Sequence, residues 1–295
     1  MEVPMIQPTR REPISFVASD GVTLQGDLTR CNTPNLAVLI SAGTGFPRQF
    51  YHAIAQYMAE RGAIVLTYDY RGIAGSCHGD LAQSEIEYAD WGRYDMVAAV
   101  EHLSQAAPGL RITHLAHSVG GHFIGVMSNH EAIDRHAFIS VGTGFIGGHQ
   151  LKNWPLELYF WWGLGSYSLL RWGYIKPIGG WQGEALPPRV FKTWRKWSQR
   201  RRYFQVDYEG LLKPQHYADV TAPIRSWVFS DDPIATPRAA QDLLDCYPNA
   251  AKSLQIRTPT DIGVRRIGHE GAFRPGREPL WAECWDWLSQ DRETP

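Results

Sequence analysis

His114-Leu-Ala-His-Ser-Val-Gly-Gly121 (HLAHSVGG) sets a serine between a histidine and two glycines directly after a buried-looking run. Leu110 to Leu115 read as a short strand, and His122 to Ser128 read as an apolar helix. Gly-Gly is a poor opening for an ordinary helix, so its place here needs another reason. A serine held at the tip of a tight strand-to-helix turn supplies one. Such an elbow needs small residues two before and two after the serine, so that strand and helix can approach each other. Ala116 and Gly120 are those residues, and Ser118 is the candidate nucleophile. Alanine in the first position is the smallest replacement for the usual glycine.

Working outward, strands alternate with helices along the chain. Ile14 to Ala18 and Val22 to Thr29, joined through Ser-Asp-Gly, read as an opening hairpin. Leu36 to Ile40, Ala63 to Tyr68, Ala137 to Val141, Ile224 to Phe229 and Ser253 to Ile256 read as further strands. Gln49 to Arg61, Tyr88 to Gln105 and Pro279 to Ser289 read as helices. Strands alternating with helices predict an α/β fold, a mostly parallel central sheet with helices on both faces. Ligands of such sheets bind beyond the carboxyl ends of the strands, where Ser118 would sit.

The chain has 295 residues, of which 44% are hydrophobic and 20% charged, enough for a large core and too few charges for disorder. A net charge of -1 gives no reason to expect nucleic acid as a partner. Cys31, Cys77, Cys246 and Cys284 are widely spaced, so neither a zinc site nor a disulfide framework is expected. With no signal-like apolar run near Met1, a cytoplasmic protein is expected.

Between residues 147 and 216 the alternation breaks. The interval holds seven of the twelve tryptophans: Trp154, Trp161, Trp162, Trp172, Trp181, Trp194 and Trp197. It reads as a mainly helical cap inserted into a core formed by residues 1–146 and 217–295. Phe46, Trp154, Trp161 and Trp162 are candidates for the substrate pocket. The basic run Lys192 to Arg202 reads as a solvated helix face. Glycines interrupt the apolar part of the interval, so no stable membrane association is expected.

A serine hydroxyl is a weak nucleophile until a base takes its proton. Most of the eleven histidines lie within predicted elements or beside the serine. His269 lies instead between Gly268 and Gly271, after the last strand, at the sheet edge that carries Ser118. A buried carboxylate should orient that imidazole. Strand Ile224 to Phe229 runs into Ser-Asp-Asp-Pro, which places Asp231 or Asp232 at the same edge. The attacked carbonyl also needs preset N–H donors for its developing negative charge. The N–H of Val119, next after the serine, is one; the loop Ser41-Ala-Gly-Thr-Gly-Phe46 would supply the other. Ser140-Val-Gly-Thr-Gly-Phe145 nearly repeats that loop, but neither extends to the glycine pattern of a dinucleotide site.

The segments FYHAIAQYMAERGAIVLTYDYRGIAGS, AHSVGG, SDDPIAT and IGHEGAF together resemble the α/β-hydrolase family. The similarity is to serine hydrolases with a helical lid: esterases, monoglyceride-lipase-like enzymes and serine-aminopeptidase-like enzymes. The resemblance implies the α/β-hydrolase fold and favours Asp232 as the acid, because one residue and then an aliphatic residue follow it. It also implies that the first oxyanion donor falls on or beside Thr44. Ala116, Ala74 and Ala42-Gly43 stand where the family usually has Gly, Gly and His-Gly.

The expectation is a serine hydrolase working through an acyl-enzyme, with no metal or organic cofactor, on a small-molecule carboxylic ester with an apolar acyl or aromatic group. A thioester such as an acyl-CoA is the first competitor, ahead of peptidase or acyltransferase chemistry. A hydrolase-fold binding module without turnover is the alternative of another class.

Overall fold

The computed structural model describes residues 6–291. Its strands are β1 Thr9–Val17, β2 Thr23–Cys31, β3 Leu36–Ser41, β4 Ala63–Tyr68, β5 Ile112–His117, β6 Ile133–Ile139, β7 Ile224–Phe229 and β8 Lys252–Arg257. They form one sheet in the order β1-β2-β4-β3-β5-β6-β7-β8. β1 pairs antiparallel with β2, and β2 antiparallel with β4; every later pairing is parallel. Each residue of β3, β4, β5 and β6 is buried, as strands covered on both faces require. The first two strands form the expected hairpin, whose turn puts Gly21 at φ +87°, a conformation that favours glycine.

The helices differ more from expectation than the strands. The first begins as a 3-10 turn, Arg48–Tyr51, before α1 at His52–Ala59. A π-helical turn over Trp91–Met96 leads into α2 at Val97–Ala106. β6 starts at Ile133 rather than Ala137, because Asp134, Arg135 and His136 are buried in it. There Arg135 Nε donates to Asp134 at 3.0 Å, and the His136 ring lies against His114.

After the elbow no α-helix forms. The chain makes two 3-10 turns, Ser118–Gly121 and Ile124–Val126. The second turn packs closely: a Cβ on Gly125 would lie 2.4 Å from the Tyr217 ring.

Between β6 and β7 lie α3 at Trp154–Leu158, a π-helical turn at Tyr159–Leu164, α4 at Gly165–Trp172 and α5 at Pro188–Ser198. All fall inside the interval 147–216. This segment reaches the carboxyl edge of the sheet at two places. Glu184 N–H donates to the Gly45 carbonyl at 2.7 Å, and the Tyr203 ring meets His122 edge-on at 5.4 Å. The return to the sheet carries α6 at Pro237–Leu244, capped by the Thr236 hydroxyl, and α7 at Glu278–Ser289 follows β8. Among the described residues, no helix is long and apolar enough to cross a membrane.

Candidate active site

β5 ends at His117, and Ser118 then takes φ +48°, a left-handed conformation in which a non-glycine residue is strained. That geometry turns the chain sharply. Gly120 makes the turn possible, because a Cβ there would lie 2.4 Å from the Ser41 carbonyl oxygen at the end of the neighbouring strand. Ala116 is fully buried, opposite Ser41 on β3 and Phe138 on β6, so its methyl group is accommodated where a glycine is usual.

Three side chains from three separate loops meet at this turn. His269 Nε2 lies 3.1 Å from Ser118 Oγ, and His269 Nδ1 lies 2.9 Å from Asp232 Oδ2. The remaining carboxylate oxygen of Asp232 accepts the N–H groups of Ile234 at 2.8 Å and Ala235 at 3.0 Å. Burial by itself would raise the Asp232 carboxyl. The charge and hydrogen bond of His269, with the two amides, bring it below its ordinary range. Burial would likewise lower His269, but the Asp232 carboxylate beside it outweighs this and lifts its affinity for a proton above that of an ordinary histidine.

The adjacent Asp231 does something different. Its Oδ2 accepts the N–H of Ile267 at 2.8 Å, which anchors the loop two residues before His269. The two carboxylates left open by the sequence are thus distinguished: one meets the imidazole and the other meets the backbone of its loop.

The loop after β3 is held from several sides. Thr44 is buried, and its hydroxyl lies 2.5 Å from Tyr88 Oη. Tyr88 is itself fixed among Trp91, Phe123 and Trp197. A Cβ on Gly45 would lie 2.7 Å from the Trp181 ring, which covers this loop. Val119, next in the chain after Ser118, is buried at the elbow.

A second chain of hydrogen bonds runs behind the site. Gly43 N–H donates to Tyr51 Oη at 2.8 Å, and Tyr51 Oη lies 2.8 Å from His117 Nδ1. His117 Nε2 lies 3.1 Å from the carbonyl oxygen of His269. A carbonyl only accepts, so Nε2 carries the ring proton and the Tyr51 hydroxyl donates to Nδ1. Burial holds the ring neutral, its pKa pushed down to about 3. In the sequence His117 stands out only as a neighbour of the serine and Tyr51 has no visible role, because their partners are remote in the chain.

The four pocket candidates separate. Phe46 packs against Phe50 and the His117 ring, next to the site. Trp161 is buried against Phe191 and Trp194. Trp154 is half-buried. Trp162 is 55% exposed, with the Arg195 guanidinium 4.7 Å above its ring, and lies on the surface. Among the described residues no group of three or more His, Cys, Asp or Glu side chains is placed to hold a metal ion.

Residues 32–172 match the family model described as serine aminopeptidase, S33. The whole fold matches solved hydrolases. A soluble variant of monoglyceride lipase from Saccharomyces cerevisiae, in complex with a substrate analogue, superposes with a TM-score of 0.64, covering 96% of this chain and 95% of that one at 14% identity. The chain has the α/β-hydrolase fold. DcsB, solved with its substrate analogue, gives this α/β-hydrolase fold a TM-score of 0.63 at 13% identity, over 97% of this chain and 100% of that one. The Pyrococcus furiosus esterase Pf2001 gives 0.61 at 14% identity, over 95% and 90%. No curated protein sequence matches the chain.

Proposed function

We propose that this α/β hydrolase cleaves carboxylic esters bearing an apolar acyl or aromatic group, through an acyl-enzyme on Ser118. The observation that carries the proposal is the relay from Ser118 Oγ to His269 at 3.1 Å and from His269 to Asp232 at 2.9 Å. A binding module would have no use for a buried carboxylate behind that imidazole.

In this reading His269 Nε2 takes the proton of Ser118 as Oγ attacks the ester carbonyl. Asp232, fixed by two amides, holds the imidazole in the tautomer that accepts at Nε2 and stabilises the cation that forms. The N–H groups of Val119 and Thr44 take the developing oxyanion. The leaving alkoxide collects the proton from His269, and a water then repeats the sequence on the acyl-enzyme.

Residues 147–216 act as a lid over this chemistry. Within it Phe160, Trp161, Trp181 and Trp194 form one aromatic cluster, and Trp181 lies on Gly45 of the loop that would bind the oxyanion. An apolar wall at that point favours an apolar acyl group over a charged one. The monoglyceride lipase and the Pyrococcus esterase of the same fold are named for ester substrates, which agrees with this choice. The four cysteines are free thiols, which suits a reducing compartment such as the cytoplasm.

The test is a panel of p-nitrophenyl esters and acyl-CoAs of rising chain length. Ester hydrolysis that climbs with acyl length, by up to about fourfold in kcat/KM per buried methylene, is the expected result. Turnover confined to acyl-CoAs would replace ester by thioester, and no turnover of either would overturn the proposal.

A further inference from the structure

The helical run over residues 154–172 is continuous, although Gly163 and Gly165 lie inside it. Neither glycine breaks the run, and Gly165 serves helix packing. A Cβ on Gly165 would lie 2.0 Å from the Phe191 ring, so glycine there lets α5 come close. One face of the run, carrying Glu157, Trp161, Leu164, Gly165 and Ser168, is buried. The opposite face carries Leu156, Tyr159, Trp162, Tyr167 and Leu170 at helical spacing, and all five are exposed, Leu170 by 89%. No charged residue falls on that outer face between Lys152 and Arg171. A contiguous apolar stripe of this size on a water-exposed helix marks an interaction surface.

Charge identifies what would cover it. Residues 147–216 hold eleven Lys and Arg against four Asp and Glu, a formal charge of +7. The rest of the chain holds eighteen against twenty-six, a charge of -8. Of the four acids in the interval, Glu157 and Asp207 are buried, bonded to His149 and Lys196 respectively. The cations border the stripe. Lys152 precedes the run, Arg171 and Lys176 lie against the Trp172 ring, and Arg195 lies over Trp162. Tyr and Trp on an apolar face rimmed by Lys and Arg match the boundary between lipid headgroups and acyl chains.

We infer that this helix docks the protein, reversibly and in the plane of the interface, on an anionic lipid bilayer. The apolar stripe enters the headgroup boundary while the cations that border it meet the anionic headgroups. Binding of this kind is salt-sensitive, since each exposed cation near an anionic surface is worth about fivefold in affinity at low ionic strength. A second copy of the chain would cover the apolar stripe equally well, but it would set one positive interval against another.

Co-sedimentation with vesicles tests this without reference to turnover, so it can fail while the esterase reading stands, and the reverse. Vesicles of phosphatidylcholine mixed with phosphatidylglycerol should carry the protein down, and vesicles of phosphatidylcholine alone should bind it at least about tenfold less well. Leu156→Ser/Leu170→Ser should weaken binding by about tenfold or more. Lys152→Glu/Arg171→Glu should remove the preference for phosphatidylglycerol, and neither double variant should alter the far-ultraviolet circular dichroism. Three results would overturn the inference: no binding to either vesicle, equal and salt-insensitive binding to both, or a dimer in light scattering that Leu156→Ser/Leu170→Ser splits.

Discussion

Tyr51 Oη lies 2.8 Å from His117 Nδ1 and, through that ring, is tied to the backbone of His269. The same oxygen accepts the N–H of Gly43. One phenol therefore couples the loop after β3 to the loop that carries the candidate base.

Tyr51→Phe leaves the ring in place and removes this coupling. Two buried groups, Gly43 N–H and His117 Nδ1, then lose their partner, at about 1–3 kcal/mol each when unsatisfied. We expect a lower melting temperature and a fall of about ten- to a hundredfold in kcat, with KM changed far less, because the effect is on alignment of His269 and of the loop behind it. Steady-state kinetics beside a thermal melt separate the two effects. Unchanged kcat would confine the network to stability.

Asp231 and Asp232 are neighbours with separate duties. Asp232→Asn should cost roughly 10⁴ in kcat, because an amide favours the wrong imidazole tautomer. Asp231→Asn weakens one hydrogen bond to Ile267, about 1 kcal/mol of stability, and should leave kcat within about tenfold. A larger loss at Asp231 would reverse the assignment.

The pH dependence has a definite sign. With His269 as the proposed base, turnover needs its ring neutral; its proton affinity is raised, so kcat/KM should fall with acid through a pKa above the ordinary 6.5 of histidine. Stability runs the other way. A raised folded pKa at His269 stabilises fully below about 6.5 and is lost as pH rises through the folded value; a lowered one at Asp232 stabilises above about 3.9 and is lost as pH falls through the folded value. The pair should stabilise most between about pH 4 and 6.5, below the pH at which it works. Melting wild type and Asp232→Asn across that range, beside a rate profile, checks both limbs.

Gly120→Ala tests the elbow itself. Its Cβ would sit 2.4 Å from a backbone oxygen of β3 that cannot yield cheaply. A loss of about 1–3 kcal/mol in stability and a large loss of activity are expected. A fully active Gly120→Ala would mean that strand and turn do not need this approach.

The parallel sheet and the three-residue relay were legible because their signals are local. Mostly apolar runs mark β3 and β4, and Ser118, Asp232 and His269 each follow a strand in order. Choosing between Asp231 and Asp232 needed the resemblance to a family, since both sit at the same strand end. β6 was foreshortened in the sequence because Asp134, Arg135 and His136 look like surface residues until their buried partners are known. The segment after Ser118 reads as a helix because an apolar run does not reveal how closely Gly125 meets the Tyr217 ring. Tyr51 and His117 were missed for the same reason: their bond joins residues 66 apart. Glycines interrupt the apolar part of residues 147–216 in sequence, and the position of Phe191 explains the one at Gly165.

Ser118→Ala should fold as the wild type does, since it removes one oxygen from a partly exposed tip, and should retain no more than about a thousandth of kcat. Retention above that level, with the fold intact by thermal melt, would mean another group attacks.

The most direct measurement is intact-mass and peptide mapping after reaction with a fluorophosphonate, which phosphonylates an activated serine. A single adduct is expected, on Ser118, formed slowly in His269→Ala and not at all in Ser118→Ala. An adduct on another residue, or labelling at the wild-type rate in His269→Ala, would contradict it.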